Sequence, residues 1–104
     1  MSGRPANAVR GEVALVLDGR DRVLRPGFER LLAAEAELGS LVAMLDRVGG
    51  GDVRLAEVEA LFWHCLEGER GERDGFRAML VAAGVGALVA PYRALLTAIF
   101  AGGA

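Results

Sequence analysis

His64 and Cys65 are the only histidine and the only cysteine in the chain, and they are adjacent. Neighbours on a helix point about 100° apart, so the imidazole cannot act as base to the thiol. Cys65 reads as a core residue and His64 as a boundary one. A metal centre needs three or four ligands, and with one His and one Cys the carboxylates would have to supply the rest. The acids at 57 and 59, and at 67, 69 and 72, alternate with other residues on faces expected to be solvated. Ser2, Ser40 and Thr97 are the only aliphatic hydroxyls. The glycines at 49–51 have no Lys-Ser/Thr after them and no strand before them, so they make no phosphate-binding loop. No catalytic residue, metal ligand or cofactor is assigned, and the sequence reads as non-enzymatic.

Charge narrows the partners. All 12 basic residues are arginine, and they are interspersed with 14 acids for a net charge of -2. A surface that tracks phosphates needs clustered positive charge, so nucleic acid is not an expected partner. The absence of lysine, with abundant Ala, Gly, Leu and Val, is the codon signature of a GC-rich and so bacterial genome. The lone cysteine fits a reducing compartment, and the opening residues MSGRPANA lack the apolar core of a secretory signal. A cytoplasmic location is expected.

At 104 residues the chain has room for one core. Its residues are 53% hydrophobic and its mean hydropathy is +0.33, which implies self-association into a homo-oligomer or a binding partner. The stretch from residue 78 to the C-terminus holds Arg93 alone as a charge, but Gly84, Gly86 and Pro91 interrupt it. That pattern argues for packed small-residue helices rather than a membrane span.

The elements follow from periodicity. Residues 1–9 show none and read as a flexible arm before a single domain over residues 10–101. Residues 12–18, EVALVLD, alternate with period two as a strand does. Asp18-Gly19 supplies a turn, and residues 22–25 return as a second strand. A four-residue loop over 18–21 is expected, because it sets Leu15 opposite Leu24, whereas a two-residue loop sets Leu15 opposite Arg22.

Five short helices should follow. The first has Pro26 in its first turn, carries Phe28, Leu31, Leu32 and Leu38, and stops at Gly39. Ser40 caps the second, which carries Leu41, Met44, Leu45 and Val48. Asp52 is the available cap for the third, whose stripe is Leu55, Val58, Leu61, Phe62, Cys65 and Leu66. The fourth, after Asp74, carries Phe76, Met79, Leu80 and Ala83. The fifth, with Leu88, Tyr92, Leu95, Leu96, Ile99 and Phe100, should start between residues 87 and 91 so that Pro91 falls in its first turn. The fold class is α+β, an N-terminal β-hairpin followed by about five short helices. Val16, Trp63, Tyr92, Leu96 and Phe100 are the candidate partner-binding residues, with ordinary core packing the alternative for the last three.

The order of landmarks is VALVLDG at 13–19, RVLRPGFERLLAAEAELG at 22–39, SLVAML at 40–45, LAEVEALFWHCLEG at 55–68 and AAGVGAL at 82–88. Together they resemble the small gene transfer agent family labelled a tail tube or tail assembly chaperone protein, over nearly the whole chain. The resemblance implies assembly without catalysis: a chaperone that coats the tape measure protein, keeps it soluble and brings tail tube subunits to it. Its partners would be the tape measure and tail tube proteins. A structural tail component that stays in the particle, and a small regulatory or nucleic-acid-binding module, are the alternatives.

Overall fold

The computed structural model describes residues 5–7 and 10–102. The arm expected over residues 1–9 therefore lies largely outside the described residues. Strand β1, Val13–Leu17, and strand β2, Arg20–Leu24, form an antiparallel hairpin. Asp18 and Gly19 have φ of 52° and 69°, the paired left-handed conformation of a two-residue turn whose twist matches that of the strands. The register is Val13 to Leu24, Leu15 to Arg22 and Leu17 to Arg20.

This corrects the expected four-residue loop. Leu15 does face Arg22, and the pairing holds because the arginine extends along the sheet and donates from Nη2 to the carbonyls of Glu69 at 2.7 Å and Glu67 at 3.4 Å. Its aliphatic stem stays on the apolar face and its charge leaves it.

Five helices follow: α1 Phe28–Leu38, α2 Leu41–Gly49, α3 Leu55–Cys65, α4 Arg73–Ala83 and α5 Val85–Ala101. Helix α3 runs through the middle, with Val58, Ala60, Leu61, Phe62 and Cys65 all buried. Beyond it the chain runs extended beside β2. Leu66 bridges to Leu24, the Glu67 N–H donates to the Val23 carbonyl at 2.9 Å, and the Arg25 N–H donates to the Cys65 carbonyl at 2.7 Å. Burial at this junction is complete for Leu24 and nearly so for Leu66. The outer edge of β2 is thereby paired from within the chain at its Val23–Arg25 end.

The helix ends show which signals local chemistry settles. Ser40 caps α2 as expected, its Oγ accepting the Ala43 N–H at 3.1 Å, and Glu35 reaches across to accept the Leu41 N–H at 2.9 Å. Asp52 does not cap α3. Arg54 holds that position, and the Asp52 carboxylate instead accepts its guanidinium at 2.9 and 3.3 Å. Pro26 lies just ahead of α1, whose cap is Gly27.

Helix α1 also turns a different face inward. Ala34 is buried and Leu31 and Leu38 pack beside it, while Phe28 is 77% exposed and Leu32 51%. At about 100° per residue Leu31, Ala34 and Leu38 share a narrow arc, and Leu32 lies a quarter-turn away.

Helix α5 starts at Val85, earlier than expected, so Pro91 falls inside it. Proline there removes the hydrogen bond to the Ala87 carbonyl. Ala87 is exposed, so water can serve that oxygen and the interruption is tolerated. Gly84, with φ of 92°, provides the sharp bend of 109° between α4 and α5. Among the described residues no single helix is long and apolar enough to cross a membrane.

Candidate interaction surfaces

Arg73 is the centre of the densest polar group. Its Nε and Nη2 donate to the two oxygens of Glu59, each at 2.8 Å, and its Nη1 donates to Glu37 Oε1 at 2.8 Å. One guanidinium thus ties α4 to α3 and α1, with the fork geometry that suits arginine to carboxylates. His64 Nε2 lies 2.9 Å from Glu37 Oε1. Hydrogen bonds from Arg73 first, and from His64 second, hold the Glu37 carboxyl down to about 2. These acids and bases are consumed in mutual pairing, so the group is a structural clasp. Cys65, fully buried, has its thiol pushed up to about 12 by desolvation, a protonated and unreactive state at neutral pH.

The five candidate partner-binding residues are not brought together. Tyr92 and Leu96 lie in the core, at 0% and 1% exposure, where ordinary packing puts them. Tyr92 meets Phe62 edge-on at 6.2 Å. Trp63 is half-buried, tilted against Phe76 at 5.5 Å with the Arg70 guanidinium 4.9 Å from its ring centre. Val16 and Phe100 are exposed, on β1 and at the end of α5.

The sequence reading did not single out a small apolar hollow between the start of α3, the end of α4 and the start of α5. Its volume is about 120 Å³ and its lining includes Leu55, Val58, Leu80, Val81, Val85 and Leu88, with Glu59 and Arg77 at the side. Leu55, Val81 and Val85 are exposed at its rim. The available signal was Val81, an apolar residue one position off the buried face of Phe76 and Leu80, and so about 100° round from Leu80. Leu55 gave the opposite impression, since its spacing fits the α3 stripe while its position leaves it outside the core.

A family model described as phage tail tube protein, GTA-gp10, matches residues 10–102. The chain belongs to this family. No curated protein and no solved structure matches it. Membership in the GTA-gp10 family assigns the chain a role in the tail of a gene transfer agent or phage-like particle, and the family is one of structural proteins rather than enzymes. For a GTA-gp10 protein the surfaces that matter are those that other tail proteins, or further copies of itself, can cover.

Proposed function

We propose that this chain is a non-catalytic, cytoplasmic assembly chaperone of tail morphogenesis, which holds the tape measure protein in solution and presents it to tail tube subunits. The observation that carries the reading is the hollow rimmed by Leu55, Val81 and Val85. Three exposed aliphatic side chains around an apolar depression cost solubility unless another chain covers them. A volume of about 120 Å³ suits one aliphatic or aromatic anchor from the apolar stripe of a partner helix. Arg77 beside it is already paired with Glu59 at 3.4 Å and with Asp74 at 3.7 Å, so recognition is left to the apolar rim.

The test is coexpression of the tagged chain with the tape measure and tail tube proteins encoded near it. The wild type should retain the tape measure protein, and finished particles should lack the chain. The double substitution Leu55→Asp with Val81→Asp should cut retention at least about tenfold, since introducing charge into an apolar contact costs more than the roughly 1.4 kcal/mol that corresponds to a factor of ten. Equal retention by the variant would remove the hollow from the mechanism. A second reading, a tube subunit retained in the particle, is favoured by the family's own description. Stoichiometric amounts of the chain in purified particles would decide for it.

A further inference from the structure

Both long sides of the hairpin offer main-chain groups, and among the described residues only the β2 side, at its Val23–Arg25 end, meets another stretch of backbone. Val23 pairs with Ala14, yet its carbonyl accepts from Glu67 on the opposite side. The Ala14–Val23 pair is therefore a non-hydrogen-bonded one, and by the alternation of an antiparallel ladder so is Val16–Asp21. The N–H and C=O groups of Ala14 and Val16 consequently point away from β2. No hydrogen bond among the described residues reaches them there.

That edge opens on a cleft of about 660 Å³. Ala14, Leu15 and Val16 form one wall, and Ala82, Ala83, Ala87, Leu88 and Pro91, from the α4–α5 elbow, form the other. The short side chains of the alanines keep much of that helical wall shallow. Asp18, at the turn, is the one ionisable residue in the lining.

We propose that β1 takes up an extended segment of a partner polypeptide as an added strand, a segment with apolar side chains at alternate positions and a basic residue at the end that reaches Asp18. Main-chain donors and acceptors spaced along one line are otherwise left to water, and another extended backbone matches their spacing. The alanine wall accepts small apolar side chains from alternate positions of that strand. A whole second copy would have to bring its own α4–α5 elbow to the same cleft, which favours a slender segment over a second hairpin. The identity of the partner as a tail protein rests on the proposed function; the strand geometry does not.

The experiment uses the full chain with overlapping synthetic peptides spanning the tape measure and tail tube proteins, alongside retention of both full-length proteins. Val16→Pro deletes the outward N–H without removing a hairpin hydrogen bond, as proline permits at a strand edge; Val16→Thr keeps it. Asp18→Asn keeps a side chain suited to positive φ and removes the charge. A bound peptide should slow hydrogen exchange at the Ala14 and Val16 amides. Val16→Pro should weaken it about tenfold or more, Val16→Thr by less than about threefold, and Asp18→Asn should weaken it mainly at low salt. Full-length partners retained equally by wild type and Val16→Pro would overturn the added strand and leave the chaperone reading standing. Retention of neither protein by the wild type would end both. Protection of the two amides that rises with the chain's own concentration, without peptide, would assign the edge to a second copy and overturn the proposal.

Discussion

At the scale of single residues, the polar side chains are invested in joining elements. Arg73 links three helices, Arg47 donates to Glu57 and so joins α2 to α3, and Arg30 donates to the carbonyls of Arg25 and Cys65 at 3.2 Å each. Tyr92 Oη, buried without a hydrogen-bond partner among the described residues, has its hydroxyl pushed up to about 12, by desolvation first and by the Glu57 charge second. The Arg73 clasp has a pH signature. Glu37 is lowered from 4.5 to about 2 on folding, so its contribution is fully present above pH 4.5 and is lost as pH falls toward 2. With 38% of the side chain exposed, solvent screening leaves about 1 kcal/mol or less of that stabilisation. Urea unfolding followed between about pH 5 and pH 2 should show stability falling with pH in the wild type and a flatter dependence in Glu37→Gln.

At the scale of elements, two features run against local preference and are held by their neighbours. Pro91 inside α5 is one. Pro91→Ala restores a donor to the Ala87 carbonyl and should raise stability by about 1 kcal/mol, less than the full helical penalty of proline because the half-buried ring loses some contact. Thermal unfolding of the two proteins measures the difference, and a lower stability for the alanine variant would mean that the ring's packing outweighs the missing hydrogen bond. The hairpin is the other. Two strands are marginal alone, and here the extended stretch through Leu66 supplies a third partner on one side while Leu15 and Leu17 bury one face.

At the scale of the whole molecule, a core containing Tyr92, Phe62, Phe76, Leu61 and Leu95 coexists with apolar side chains that the described residues leave largely exposed. Phe28 and Leu32 stand one turn apart on the outer side of α1, away from the hollow and from the β1 edge. Replacing both with glutamine should change unfolding free energy by less than about 0.5 kcal/mol, as for surface sites, while raising the concentration at which the protein stays in solution. A loss above about 2 kcal/mol in chemical denaturation would show instead that they support the core.

The hairpin, the five helices and their order were legible in the sequence because each rests on local physics. Alternation marks β1, Asp18-Gly19 supplies the left-handed turn, Ser40 caps α2, and Gly39 and Gly84 end helices. Membership of a tail-protein family was legible too, through the order of those landmarks. Tertiary structure decided what depends on neighbours distant in the chain. Leu15 faces Arg22 without a charge left on the apolar face because the Glu67 and Glu69 carbonyls receive the guanidinium. Phe28 and Leu32 point outward because α3 takes the Leu31, Ala34 and Leu38 side of α1. Glu57 is buried because Arg47 meets it there. The open edge of β1 could not be read from its residues, since any strand has two edges and only the packing of the rest of the chain determines which one is covered.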